Sequence, residues 1–229
     1  MSMSSFAPMD IVYPESDGKP MSENVRQGQI IRMLIHGLDR QYADDPQVLV
    51  GGDCFWYPVE GQPSVCAAPD VIVVFGTPKV LQPSIRPWAH GGHVRFVIEV
   101  ASPSNSYIEM RRKREFYERH GVDEYWVFDP DSGGLEVWMR NTDGLDPVIR
   151  PERGWQSPLL GVSVSVVDGD PVVTGPTGRV WLNSTDEARM IVELEATAAQ
   201  ALGRAEAAEH RASQLEAELN RLRRVTPLE

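Results

Sequence analysis

The stretches APDVIVVFG (residues 68–76) and FVIEVASPSN (residues 96–105) decide the fold, because each sets a carboxylate against an apolar run. Asp70 comes directly before four aliphatic residues, and Glu99 stands between two more. Short apolar runs that are rich in β-branched residues and bounded by Gly, Pro or Ser predict buried strands. The two stretches therefore predict two strands of a sheet, each carrying an acid where hydrocarbon is expected.

The position of Glu99 creates an electrostatic problem that the fold must solve. Alternation along residues 94–101 places Glu99 on the face opposite Phe96 and Ile98. The helix that follows must pack on one of these faces, so we expect Glu99 to be semi-buried. An unpaired buried carboxylate is costly and needs a metal ion, an arginine or a lysine beside it. For Glu99 or Asp70 alone, an acid that caps a turn or pairs with an arginine is the simpler alternative.

A lysine on the next helix offers a partner for these acids. The helix is predicted to begin at Ser106, where Ser106 and Glu109 have the spacing of a capping box. Lys113 lies four residues before Tyr117, on a stripe that would pack inward. Lys113 then either forms a surface pair with Glu109 or reaches across the strand end to Glu99. The second arrangement would create a site for a hard cation, Mg²⁺ or Mn²⁺, which prefer oxygen ligands.

The remaining pattern predicts an α/β domain followed by a helical tail. Apolar periodicity predicts a helix over residues 22–42, and Pro, Gly and His over residues 77–93 predict a long loop. Apolar runs separated by turn residues predict further strands at Val48–Val50, Cys54–Tyr57, Tyr125–Phe128, Leu135–Met139, Val162–Val167, Pro171–Val173 and Val180–Leu182. We therefore expect a domain over residues 1–183 and a tail over residues 184–229.

The tail carries a heptad pattern. From Thr185 proline is absent until Pro227, and apolar residues recur in alternating steps of three and four. Such a seam predicts a long helix that forms a coiled coil, with a partner helix or a frayed tail as alternatives. The seam residues are Ile191, Leu194, Ala198, Ala201, Ala205, Ala208, Ala212, Leu215, Leu219 and Leu222.

Charge and cysteine content limit the possible functions. The net charge of −11 repels nucleic acid at long range, so any contact with phosphates needs a local basic patch or a bound cation. One such patch is Arg111-Arg112-Lys113-Arg114, although a solvated helix face is the plainer interpretation. Cys54 and Cys66 form no CxxC motif, and two reduced thiols are expected of a cytoplasmic protein. No apolar run is long enough to span a membrane.

The ordered motifs resemble the Uma2 family of bacterial proteins, a domain of unknown function described as restriction-endonuclease-like. They are YPESDGKPMSEN, GGDCFWYPVEG, APDVIVVFG, FVIEVASPSN and KREFYERHGVDEYWVFDP, and they cover about residues 13–183. The resemblance implies the PD-(D/E)XK nuclease fold, a central mixed β-sheet flanked by helices, with a C-terminal long helix or coiled coil as a frequent addition.

The resemblance also implies roles for particular residues. Asp70 and Glu99 would bind the metal, and the Val100 carbonyl would be a third protein ligand. Ala101 stands where the usual motif has its lysine, so Lys113 would supply the ammonium from the next helix. An additional acid, Glu23 on the first helix, is a weaker candidate.

Two functions are carried forward. The first is a Mg²⁺- or Mn²⁺-dependent endonuclease that hydrolyses DNA, with RNA also open, in which Arg111, Arg112 and Arg114 contact phosphates. The second is a catalytically silent nuclease-like scaffold that binds proteins as an oligomer. In both, the tail would make the chain a homo-oligomer, a dimer or larger.

Overall fold

The computed structural model describes residues 11–15, 24–80 and 82–225. The chain divides into two units, Met1–Asn183 and Ser184–Glu229. The first unit contains every strand that the structure describes, and the second is helical.

A six-stranded mixed sheet forms the centre of the first unit. Its strands lie side by side in chain order, and every neighbouring pair is antiparallel except the third and fourth, which are parallel. A parallel pair needs a crossover connection, and helix α3 (Tyr107–Arg119) provides it. The strands are β1 (Val48–Gly51), β2 (Val71–Phe75), β3 (His93–Val100), β4 (Glu124–Asp129), β5 (Gly134–Arg140) and β6 (Leu145–Pro147). The expected mixed sheet flanked by helices is confirmed.

Helix α1 (Val25–Gln41) covers one face of this sheet. Asn24 caps the helix, because its side chain accepts a hydrogen bond from the Gln27 amide at 2.8 Å. The apolar stripe of α1 packs on the β3 side chains that point away from Glu99. The shared core includes Ile30, Ile31, Leu34, Leu38, Phe96, Ile98 and Val100.

The opposite face of the sheet packs against α3 and the aromatic residues around it. Tyr117 of α3 is fully buried there, among side chains of β2, β3 and β4. Ser106 caps α3 as predicted, accepting from the Glu109 amide at 3.2 Å. The Glu109 carboxylate instead accepts from the Asn105 side chain at 3.3 Å, so the second half of the capping box differs from the expectation. This second core fixes the helix that carries Lys113.

A small second sheet extends the core beneath α1. It consists of β7 (Trp155–Gln156), β8 (Ser163–Val167) and β9 (Asp170–Thr174). Trp181 packs against α1 so closely that a Cβ on Gly37 would lie 2.2 Å from its ring. Only glycine fits on the helix at that point.

Two predicted strands are wrong. Residues 54–57 make only isolated bridges, from Trp56 to Ala67 and Ile85, and Val180 makes one to Thr174. Proline and glycine turns on either side leave too few consecutive residues to form a ladder. The predicted loop over residues 77–93 contains one short helix, α2 (Pro87–His90).

The second unit is a single long helix, α4 (Ser184–Val225), of 42 residues. The side chains of its seam residues Ile191, Leu194, Leu215, Leu219 and Leu222 are exposed. Leu202, which lies one position off the predicted seam, is exposed too. The predicted long helix is confirmed. Among the described residues, no helix combines the length and the hydropathy needed to cross a membrane.

Candidate active site

Strand register brings the two acids of the opening motifs together. Strands β2 and β3 are antiparallel, with Val71 opposite Ile98. One step further along the same register places Asp70 beside Glu99. The Val100 amide donates a hydrogen bond to Asp70 Oδ2 at 2.7 Å, which fixes the carboxylate at the end of the sheet.

Helix α3 supplies two hydrogen-bond donors to Glu99. This carboxylate is 1% exposed. Its Oε2 accepts from Lys113 Nζ at 2.9 Å, and its Oε1 accepts from the Tyr117 hydroxyl. Because Lys113 and Tyr117 are four residues apart, they lie on the same face of the helix. Of the two arrangements considered for Lys113, the structure therefore contains the one directed at Glu99.

The charges at this site are unbalanced. Burial, and then the neighbouring Glu99, raise the pKa of Asp70 from 3.8 to about 8, although the Val100 amide and Lys113 act in the opposite direction. Burial lowers the pKa of Lys113, but the Glu99 carboxylate outweighs burial, so the net change is upward. Two carboxylates therefore share one ammonium in a poorly solvated place. Their arrangement favours a further cation.

The donor set suits a hard divalent cation. Asp70 and Glu99 offer carboxylate oxygens, and the Val100 carbonyl points to the same strand end, where it accepts from Gln27 Nε2 at 2.8 Å. A carbonyl has a second lone pair that remains available. Within residues 11–15, 24–80 and 82–225, no three His, Cys, Asp or Glu side chains cluster at metal-binding distance. Mg²⁺ is commonly held by one or two carboxylates and keeps several waters, so these oxygens fit it. Glu23 lies outside the described residues.

The three arginines predicted to bind substrate lie in different environments on α3. Arg111 pairs with Glu115 at 2.9 Å, and Arg114 stacks over the Trp138 ring with its guanidinium carbon 4.1 Å from the ring centroid. Both line a cleft whose lining also includes Val127, the β4 residue paired with Glu99. Arg112 is exposed and does not line that cleft. The basic patch therefore points in two directions.

The sequence pattern alone does not assign Tyr117 or Gln27 to the candidate active site. Tyr117 was placed only on the inward stripe of α3, although its four-residue spacing from Lys113 is a signal for a second Glu99 donor. Gln27 gives no comparable signal, because its contact with the Val100 carbonyl joins residues that are 73 positions apart.

The comparisons with known proteins point in the same direction as the motifs. A family described as "Putative restriction endonuclease" (Uma2) matches residues 16–166. Among solved structures, the chain is similar to a protein described as "a putative nuclease belonging to DUF820" from Anabaena variabilis ATCC 29413. That alignment has 14% identity and a TM-score of 0.48, and it covers 66% of this chain and 87% of the other. No curated protein matches. Since the family match spans well over half of the 229 residues, the chain belongs to the Uma2 family.

Proposed function

We propose that the protein is a metal-dependent endonuclease that hydrolyses phosphodiester bonds in DNA by a PD-(D/E)XK mechanism. One observation carries the proposal. Asp70, Glu99 and Lys113 come from a strand entrance, a strand and a helix, and two acidic side chains lie close enough to one ammonium for their charges to interact. A carboxylate pair of this kind has little value for folding unless a cation joins it, since buried like charges repel.

Each residue of the candidate site has a role in this proposal. Asp70, Glu99 and the Val100 carbonyl would hold Mg²⁺ or Mn²⁺, which supplies Lewis acidity and lowers the pKa of a bound water. Lys113 offsets negative charge that develops on the phosphate, or orients the attacking water. Tyr117 fixes the direction of the Glu99 carboxylate through the hydrogen bond to Oε1.

The substrate contacts follow from the arginines on α3. Arg111 and Arg114 line the cleft, and in this proposal they would contact phosphates on one side of the scissile bond. Arg112 faces elsewhere and would contact a phosphate further along the strand. RNA offers the same phosphodiester and is tested beside DNA.

The test is nicking of plasmid DNA by purified protein. We expect nicking with Mn²⁺ or Mg²⁺, none with EDTA, and none from Glu99→Gln. Removing the Glu99 charge relieves its repulsion of Asp70, so the melting temperature of Glu99→Gln should hold or rise. Nicking by Glu99→Gln at the wild-type rate would contradict the proposal.

A second candidate function is a catalytically silent scaffold that binds other proteins. The net charge of −11 favours it, because an acidic surface disfavours duplex DNA. Ala101, which stands where the usual motif has a lysine, favours it too. If wild type and Glu99→Gln are equally inert on a panel of DNA and RNA substrates with several metals, this function replaces the first.

The heptad seam of α4 supports a further part of the proposal, self-association through the tail. Exposed leucines along a 42-residue helix gain little stability alone and bury apolar area when two or more copies pair. We expect deletion of residues 185–229 to reduce the mass measured by light scattering without unfolding residues 1–183. An unchanged mass would contradict this pairing. The free thiols of Cys54 and Cys66 favour the cytoplasm as the compartment.

A further inference from the structure

A cleft of about 420 Å³ lies between α3 and strands β4 to β6, and its lining includes Val127, the β4 residue that is paired with Glu99. Apolar residues that line it include Val127 from β4 and Leu135 and Val137 from β5. Its walls carry aromatic and polar groups, including Trp138 and Arg114. This volume lies in the range of small-ligand sites, and the lining has the usual mixture of an apolar surface with a few polar groups.

One residue that lines the cleft carries a buried polar atom without a partner. Tyr125 lines the cleft and is 1% exposed, and its hydroxyl has no hydrogen-bond partner among the residues that the structure describes. The ring of Tyr125 packs on Tyr117, the Glu99 donor, with their centroids 5.1 Å apart. A buried hydroxyl without a partner is costly, so a ligand that reached it from the cleft would gain a hydrogen bond.

The entrance of the cleft carries surfaces on which a planar ring can stack. Tyr107 lines the cleft and is 81% exposed at the start of α3. The guanidinium carbon of Arg114 lies over the Trp138 ring, 4.1 Å from the ring centroid. Aromatic rings and guanidinium planes are the surfaces on which proteins stack unpaired bases.

Charge favours a single strand over a duplex at this place. A duplex presents a phosphate about every 1.7 Å of its axis and requires a broad basic surface, which a chain of net charge −11 lacks. Stacking of bases adds affinity that does not depend on positive charge. The cleft has room for one base and its sugar, and Ala101 on its wall follows Glu99 by two residues.

We propose that this cleft binds one unpaired nucleobase next to the scissile phosphate, so that the nuclease acts on single-stranded DNA or on unpaired nucleotides within a duplex. This inference rests on the proposed function, because it names the substrate of the same site. The Tyr125 hydroxyl would bond an edge of the base, and Trp138 with Arg114 would cover one face.

The test measures binding without cleavage. Fluorescence anisotropy in EDTA compares a labelled single-stranded oligonucleotide with the duplex of the same sequence. We expect the single strand to bind more tightly, and Trp138→Ala to weaken its binding about 10-fold. Trp88→Ala and Arg119→Ala are the matched controls, because Trp88 lies in α2 and the exposed Arg119 lies in the last turn of α3, both outside the cleft.

A second variant guards against loss of folding. Tyr125→Phe removes an atom that has no partner among the described residues, so its melting temperature should hold or rise. Its affinity for the single strand should still fall about 5-fold, because the bond to the base is lost. A folded Tyr125→Phe and a folded Trp138→Ala that both bind like wild type would overturn the inference, as would tighter binding of the duplex.

The two proposals fail separately. Tight binding of the single strand that depends on Trp138, without cleavage under any metal, would support the cleft and refute the nuclease. Metal-dependent nicking of fully paired DNA that Trp138→Ala leaves unchanged would refute the cleft and support the nuclease.

Discussion

Replacing Asp70 by asparagine should stabilise the metal-free protein, and the gain should depend on pH. Asparagine keeps the shape of the side chain and an oxygen that can accept from the Val100 amide. It removes the negative charge that burial and Glu99 make unfavourable. The folded chain then no longer has to hold two carboxylates around Lys113.

The magnitude follows from the pKa of Asp70. Its rise from 3.8 to about 8 means that the folded state binds more protons than the unfolded state between these values. The stability of the wild type therefore falls as pH increases across that window, by up to roughly 5 kcal/mol at about 1.4 kcal/mol per unit. Burying the amide of asparagine costs about 1–3 kcal/mol. The net gain at pH 8 is about 2–4 kcal/mol.

Thermal unfolding in EDTA, followed by circular dichroism, measures this effect. At pH 8 the melting temperature of Asp70→Asn should exceed that of the wild type by about 5–10 °C. At pH 4 to 5 the gain should vanish or reverse, because Asp70 is then protonated in the folded wild type. Asp143→Asn, a change at an exposed turn, is the control and should shift neither curve. A difference between Asp70→Asn and wild type that is the same at pH 5 and pH 8 would refute the reasoning.

Two further changes test how the fold supports the site. Gly52→Ala should weaken cation binding and lower stability by about 1–3 kcal/mol, because its Cβ would lie 2.3 Å from the Asp70 carbonyl oxygen. Gly51→Ala should be tolerated, because the nearest atom to its added Cβ would be 3.4 Å away. Equal losses of stability for the two variants in calorimetry would contradict this expectation. Glu124→Gln should cost about 2–4 kcal/mol and leave cation binding unchanged, because this buried carboxylate accepts from Ser157 at 2.6 Å and from two tryptophans. Chemical denaturation measures this loss of stability. An unchanged free energy of unfolding for Glu124→Gln would contradict the expectation.

The parts of the fold with strong local patterns could be predicted from the sequence. The aliphatic run after Asp70 is strand β2, as its composition predicts, and the heptad seam marks the helix α4. Strands β6 and β7 were not predicted, because each has only two or three residues and no apolar alternation. Their pairing is decided by tertiary contacts rather than by local propensity.

Part of the candidate site could likewise be predicted from local patterns, and part could not. The positions of Asp70, Glu99 and Lys113 follow from alternation along a strand and from helical spacing, which are local properties. Gln27 and Tyr125 approach the same place from distant parts of the chain, so only the assembled fold brings them there. In the sequence, Glu124 is an ordinary polar residue at the start of a strand. In the structure it is fully buried, and it accepts hydrogen bonds from Trp155 and Ser157.

The central claim is that Asp70 and Glu99 together bind a divalent cation. Isothermal titration of Mn²⁺ into the metal-free wild type and into Asp70→Ala tests it without a nucleic-acid substrate. We expect one saturable site in the wild type and none in Asp70→Ala, with both proteins folded by circular dichroism. Equal binding by the two proteins, or no binding by the wild type, would contradict it.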